Sequence, residues 1–382
     1  MVGPMLKLLY CSNAYTTHDY RFLKAFVDAG WGIDWIRLSS QCFDCRDIPV
    51  GVNRVWDCKL KSAPFGPREC LSLLPIIRSA VNASAPDVVL AGTIHTGAWL
   101  MARAGARPLV AMSWGSDLLA DARTSLGLEK MSRYTLQKSA GLLCDCRVVR
   151  QSALSFANFA NNQVCLIPWG IDHPLELSTR AERNMLRQQL GWDGCTILLS
   201  VRSWESVYDI DTLVRAFSHA SRKHAELRLL LLGDGSLAQD IRGLIRNEDL
   251  DHLVYMPGRI AQSSLSTYYQ AADIYVTTAL SDGTSVSLLE AMAHRLPVLA
   301  SATAGNAEWI ENNSGGWLFE PGDAASLEEA INVSLLNIKR FESIGSENQR
   351  IVVSRADWDR NVSDLLAFLN RIARSADSTE AE

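Results

Sequence analysis

The sequence predicts an α/β protein of two doubly wound, Rossmann-like domains in series. Three observations carry this reading. Short β-branched or leucine-rich runs recur along the 382 residues, and continuous apolar runs of that kind suit strands buried on both faces of a parallel sheet. Longer amphipathic segments separate them, as right-handed crossover helices require. The chain is also too long for one typical core, and it breaks near its middle at "IPWGIDHPLE" (167–176), rich in Pro, Gly and polar residues.

Each element follows from its own stretch. In the first half the strand runs are "LKLLYCS" (6–12), "IDWIRLS" (33–39), "DVVLA" (87–91), "PLVAMS" (108–113), "GLLC" (141–144) and "QVCLIP" (163–168). Between the first two, "HDYRFLKAFVDAG" predicts a helix that puts Phe22, Ala25, Phe26 and Ala29 on one face and stops at Gly30. In the second half the runs are "CTILLSV" (195–201), "LRLLLLG" (227–233), "HLVYM" (252–256), "DIYVTT" (273–278) and "PVLAS" (297–301). The expected domains are 1–170 and 171–355, with a closing helix in 356–374 and a frayed tail at 375–382.

Composition bounds the function. Hydrophobic and charged contents of 48% and 21% are those of an ordinary soluble globular protein. No run of about 18 apolar residues predicts a spanning helix, and the first residues lack the pattern of a signal peptide. Nine cysteines, an odd number, then suggest reduced thiols and a cytoplasmic setting. Cys42 and Cys45 form a lone C-x-x-C and Cys144 and Cys146 a C-x-C; without a second clean pair they read as thiols rather than a zinc site. Residues 1–168 carry 18 Lys and Arg against 12 Asp and Glu, and residues 169–382 carry 19 against 30. Neither half has the strong basic surplus with stacking aromatics that nucleic acid binding requires, so no nucleic-acid partner is expected.

The most informative stretch is "SDGTSVSLLEAMAHRLPVLAS" (281–301), which places Asp282 eight positions before Glu290. It follows a strand, so Asp282 sits at the carboxyl edge of a parallel sheet, where such folds bind ligands. Thr284, Ser285 and Ser287 suit a helix start, whose free N–H groups favour a phosphate. Carboxylates on either side can accept hydrogen bonds from hydroxyls. Phosphate flanked by hydroxyl acceptors outlines a nucleotide diphosphate sugar. The plain alternative is a helix-end charge at Asp282 and a solvated helix residue at Glu290.

That stretch resembles the donor-site signature of retaining family-4 glycosyltransferases of the GT-B fold, the glycosyl transferases of group 1: acid, seven residues, Glu, "AMA", then a strand beginning "PV". "RLLLLGDGSL" (228–237), "HLVYMPGRI" (252–260), "YYQAADIYVTTALSDGTS" (268–285) and "GNAEWIENNSGGWLFEPGD" (305–323) fall in the family's order; "AGTIHTGAW" (91–99), "SWGSDLL" (113–119) and "IPWGID" (167–172) match less strongly. The resemblance implies two domains facing a cleft, with the closing helix "DWDRNVSDLLAFLNRI" (357–372) packed back on the first. It implies transfer of a sugar from a nucleotide diphosphate sugar to a saccharide or lipid-linked acceptor, with retention, in polysaccharide or glycolipid assembly. It implies no metal and no cofactor beyond the nucleotide-sugar co-substrate.

Site roles follow from the same resemblance. Arg202, Asp282, Glu290 and His95 are the catalytic candidates. Gly233, Gly235, Gly258, Arg259, Ile260, Gly283, Thr284, Ser285, Val286 and Ser287 are the donor-binding candidates. His18, Asp19 and Asp117 are candidates on the acceptor side; Asp19 and Asp117 serve equally well as helix-start groups. Trp114, Trp169 and Trp204 read as packing before sugar stacking. Two departures stand out. The first acid is Asp where Glu is usual, and Val207 or Tyr208 stands where relatives carry a phosphate-binding Lys. The rival readings are a GT-B nucleotide-sugar 2-epimerase and a catalytically silent sugar-nucleotide-binding protein. Finally, "NRVWDCKLKSAPFGPRECLSLLPIIRSAV" (53–81) places Arg54, Lys59, Lys61, Arg68 and Arg78 around an apolar core. This reads either as a core helix with a basic solvent face or as contact with an anionic membrane surface by a peripheral protein.

Overall fold

A computed structural model describes residues 6–44, 46–60, 67–171, 180–311 and 314–380. The chain divides into two compact units, Met1–Pro168 with Asp359–Glu382, and Trp169–Trp358.

The first unit is built on seven parallel strands: β1 (Lys7–Ser12), β2 (Gly32–Ser39), β3 (Val52–Leu60), β4 (Val88–Gly92), β5 (Leu109–Met112), β6 (Gly141–Cys144) and β7 (Val164–Leu166). Their order is β3-β2-β1-β4-β5-β6-β7. The central strands lie between helical layers, so both faces are buried and the runs read as continuously apolar. The helix Thr17–Asp28 begins with a capping box. Thr16 accepts from the Asp19 N–H, and the Asp19 carboxylate accepts from the Thr16 N–H. Its buried face is Asp19, Phe22, Leu23 and Phe26, whereas Ala29 faces solvent. The helix ends before Ala29, so that residue no longer continues the apolar stripe.

β3 is an edge strand that the sequence pattern does not announce. In "VNRVWDCKL" no residue is fully buried; Trp56, Cys58 and Leu60 lie against the core while Asn53, Arg54, Val55 and Lys59 are exposed, and the strand pairs with β2 from Ile33 opposite Val52 to Ser39 opposite Leu60. It takes up Arg54 and Lys59, so the stretch 53–81 is a strand followed by helices, not one amphipathic element; Lys61 lies outside the described residues. In the helix Leu74–Ser84 the side chains of Ile77 and Ala80 are buried in the core while Ile76 and Arg78 face solvent.

The second unit carries six parallel strands, β8 (Thr196–Ser200), β9 (Leu227–Leu232), β10 (Val254–Gly258), β11 (Ile274–Thr277), β12 (Val298–Ser301) and β13 (Gly316–Phe319). Their order is β10-β9-β8-β11-β12-β13. Alternate residues feed two cores. Leu198, Leu229, Leu231 and Val276 enter one, and Ile197, Leu199, Leu230 and Tyr275 the other. The short β13 lies beyond the runs picked out by sequence.

The unit boundaries fall at Pro168 and Trp358 because Ile171 is tied to the end of the second unit. Its N–H donates to Ala356 O at 2.8 Å, and Trp358 N–H donates to Ile171 O at 3.0 Å. The closing helix runs from Trp358 to Glu380, past the expected tail boundary, because no Pro or Gly stops it after Arg374. It buries Leu365, Phe368, Leu369 and Ile372 in the first unit. At Gly141 of β6 a Cβ would come within 2.8 Å of the Phe368 ring, so the helix lies directly on the sheet edge. Phe368→Ala is expected to cost about 3–5 kcal/mol of unfolding free energy. Urea titration checks this, and a loss under about 1 kcal/mol would show that the ring is not part of the core.

Candidate active site

In a doubly wound sheet the loops after the two central strands diverge and leave a ligand crevice at the carboxyl edge. In the second unit these strands are β8 and β11. The loop after β8 carries Arg202, and the loop after β11 carries Asp282 and leads into the helix Val286–Ala293. Topology therefore brings together residues 80 positions apart. Arg202 Nη2 donates to Asp282 Oδ2 at 2.7 Å, and Nη1 donates to Ser285 Oγ at 2.6 Å and Ser287 Oγ at 3.1 Å. Ser285 is the N-cap of the following helix and accepts from the Leu288 N–H. Burial works against the Arg202 charge, but Asp282 and Tyr208 outweigh it and raise its pKa. Its buried Nε–H makes no hydrogen bond within the protein.

Of Val207 and Tyr208, it is Tyr208 that meets Arg202, as a ring rather than a charge. The Arg202 guanidinium carbon lies 4.0 Å from its centroid. The turn that presents it is stitched to the other loop: Thr278 Oγ1 donates to Tyr208 O at 2.8 Å, and Leu280 N–H to Val207 O at 2.8 Å.

Glu290 stands further along the same helix. Its Oε1 accepts from Gln262 Nε2 at 2.5 Å and its Oε2 from the Tyr269 hydroxyl at 2.8 Å. Burial first, and Glu290 second, push the Tyr269 pKa well above its ordinary value, so the phenol stays a donor. Tyr275, pushed to about 12 chiefly by burial, hydrogen-bonds Ser287 Oγ at 2.7 Å. The His294 ring stacks on Tyr269 at 4.9 Å. Tyr269, Tyr275 and His294 lie within the stretches quoted above, yet only the fold shows what they contact; Gln262 lies outside those stretches.

The remaining donor-side candidates take distinct places. At Gly233 (φ +121°) a Cβ would lie 2.3 Å from Arg202 O, and at Gly235 2.4 Å from Trp204 O. What comes close to these glycines is the chain's own loop. Trp204 is wholly buried, as packing predicts. Gly283 and Thr284 are buried and Val286 partly so. Gly258 closes β10, and Arg259 beyond it is exposed with Ile260 packed on the core. With β9 between them, Arg259 leaves the sheet two strands from Arg202, about 10 Å by strand spacing.

The first unit gathers its own candidates at its own crossing, between β1 and β4. Thr96 Oγ1 donates to Asn13 Oδ1 at 2.7 Å and ties the two loops together. His95 is buried, with Nε2 2.6 Å from Ser132 Oγ. Burial lowers its pKa against the opposing pull of Asp117, so the ring is neutral near pH 7. Asp117 is buried and accepts from the Ile94 and Leu118 N–H groups and the Ser113 hydroxyl. Asp19 accepts from the Tyr10 hydroxyl and Thr16. Both carboxylates organise their loops from inside. His18 packs on Trp114 at 5.1 Å, and burial, then Arg21, lowers its pKa to about 3. Among the described residues no group of His, Cys, Asp and Glu could hold a metal ion, and Cys45 lies outside them.

Two doubly wound units, each with its site residues at the sheet crossing, define the GT-B class. Solved structures share it. Sucrose-phosphate synthase from Thermosynechococcus elongatus superposes with a TM-score of 0.77 at 19% identity, covering 97% of this chain and 100% of that one. Anabaena Alr3699/HepE, in complex with UDP and glucose, gives 0.78 at 19% identity over 98% and 100%. The model for glycosyl transferases group 1 matches residues 182–351 and that for glycosyl transferase 4-like proteins matches residues 7–146; the chain belongs to the group 1 glycosyl transferases. Among curated relatives, the alpha-monoglucosyldiacylglycerol synthase of Streptococcus pneumoniae is 27% identical over 54% of this chain and 49% of its own length. The amylovoran biosynthesis glycosyltransferase AmsK of Erwinia amylovora is 36% identical over 25% of each. The chain thus spans half or less of these relatives' lengths.

Two outcomes test this geometry. Tyr208→Ala should lower kcat/KM by about 3- to 30-fold through loss of the ring under Arg202, while Tyr208→Phe stays near wild type. Equal losses in both would implicate the hydroxyl instead. For His18 the folded pKa lies below the unfolded one, so its stabilisation is complete above about 6.5 and is lost as pH falls toward 3. Urea titrations across that range should show a steeper acid loss for wild type than for His18→Gln; parallel curves would refute the shift.

Proposed function

We propose that the protein transfers a sugar, with retention, from a nucleotide diphosphate sugar to an acceptor hydroxyl in polysaccharide or glycolipid assembly. The observation that carries this is the held Arg202 between Asp282 and the helix start at Ser285, with Glu290 on the same helix. Arg202 and the helix N-terminus stabilise the charge that develops on the leaving diphosphate. Glu290 exchanges the Gln262 amide for ribose hydroxyls, and Asp282 positions the sugar. The anomeric C–O bond to phosphate breaks as the acceptor oxygen attacks from the same face, and the acceptor proton passes to the leaving phosphate oxygen. No side chain serves as nucleophile in this reading, in keeping with the front-face attack that the family resemblance implies. The UDP and glucose bound by the Anabaena neighbour support a nucleotide-sugar donor, and the names of the curated relatives support a lipid or polysaccharide acceptor. Exposed Leu71, Ile76 and Arg78 on the helices after β3, with exposed Arg54 on β3, support work at an anionic membrane surface, although no described helix is long and apolar enough to cross one.

Donor binding and turnover test the reading, starting from a screen of UDP-, GDP- and ADP-sugars. Glu290→Gln should weaken donor binding by about 1–3 kcal/mol in calorimetry; unchanged affinity in folded protein removes Glu290 from the donor site. Arg202→Lys should lower kcat as well as affinity, because a point charge cannot replace a planar fork on two phosphate oxygens. Near wild-type kcat would place the diphosphate elsewhere. An epimer formed from donor alone, or binding without transfer or hydrolysis, would replace the proposed activity.

A further inference from the structure

The first unit carries a second concavity, of about 650 Å3, at the amino edge of β5, β6 and β7 where the closing helix crosses them. His95 and Asp117 lie on loops at the opposite, carboxyl edge. The strands between are four residues long in β5 and β6, about 13 Å of sheet. This cavity is therefore separate from the candidate active site.

Among the described residues its lining is basic without a counter-charge. Arg107, Lys138 and Arg371 line it, and Arg374 lies one turn on, in the adjoining hollow. No described carboxylate lines either hollow. Several other surface cations do sit beside acids on their own helix, as in Lys24–Asp28, Arg133–Glu129, Arg215–Asp211 and Arg350–Glu347. Lys138 ends the helix Leu126–Lys138, where a cation also suits the dipole; Arg107 precedes a strand and has no such local reason. Arg371 is fixed in place, donating to Asn162 O at 3.2 Å with its guanidinium 5.4 Å from the Phe368 ring centroid. Pro108, Ala140 and Ile372 give the lining an apolar side. The volume is that of a small-molecule site and far exceeds one bare phosphate.

We propose that this cavity binds a phosphate-bearing ligand whose apolar part rests on Pro108, Ala140 and Ile372 while its anionic group meets Arg107, Lys138 and Arg374. The shared chemistry is a phosphate ester, supplied either by a soluble metabolite or by a phospholipid headgroup. The proposal does not rest on the transfer reaction.

The test uses the full chain with two probes: inorganic pyrophosphate in calorimetry, and flotation with phosphatidylcholine vesicles with or without phosphatidylglycerol. An Arg202→Ala background silences the candidate donor site, so remaining pyrophosphate binding reports another site. In that background, Arg107→Ala/Lys138→Ala/Arg374→Ala should weaken binding of one probe by about 10-fold or more, and Arg374→Glu should weaken the same probe. Loss with pyrophosphate identifies a soluble ligand, and loss confined to phosphatidylglycerol vesicles identifies a headgroup. All three residues are exposed, and circular dichroism melts confirm that the variants fold. If neither probe binds the Arg202→Ala protein, or the triple variant binds both unchanged, the proposal is overturned.

Discussion

Arg202 holds a permanent charge on a side chain only 10% exposed, and a cation so placed costs several kcal/mol unless it is paired. The surrounding groups each offset part of that cost. Asp282 supplies the opposite charge, Ser285 and Ser287 accept its N–H groups, and Tyr208 covers one face. They arrive from the loops after β8 and β11, which hydrogen bonds to the Val207 and Tyr208 carbonyls also hold together. The need to neutralise one guanidinium thus orders both sides of the sheet crossing in the protein itself. Dipoles fixed in advance need not reorganise when charge develops on a ligand, which is the condition for electrostatic catalysis.

Backbone packing reinforces the same arrangement from behind. Gly233 and Gly235 let the loop after β8 come closer to the loop after β9 than any side chain would allow. Gly305 does the same under the acidic loop, where a Cβ would lie 2.1 Å from Gly283 O and 2.5 Å from Asp282 O. These glycines leave room for neighbouring backbone, so their effect on a ligand passes through the positions of Arg202 and Asp282.

The first unit uses burial differently. Its charged and titratable groups lie inside the crossing between β1 and β4 and spend their hydrogen-bonding capacity on loops. Asp117 links the segment after β4 to that after β5, and Asp19 joins Tyr10 of β1 to the start of the first helix. His95 and His18 are kept neutral by the same desolvation. The first unit thus sets neutral imidazoles beside carboxylates held by its own loops, whereas the second unit presents an ion pair.

By itself the sequence determined the fold class and most strands, because strands covered on both faces must be continuously apolar. It also marked Asp282, Ser285, Ser287 and Glu290, because an acid, a helix start and a second acid lie within one local stretch. It did not reveal β3, since an edge strand paired on one side, with polar residues facing water, has no apolar run to betray it. Nor did it reveal that Tyr208 lies under Arg202, that Gln262 and Tyr269 hold Glu290, or that Asp19 and Asp117 are turned inward. Those pairings join residues up to 28 positions apart, and only the packing of the sheet decides which separated groups are near enough to neutralise a charge that water can no longer solvate.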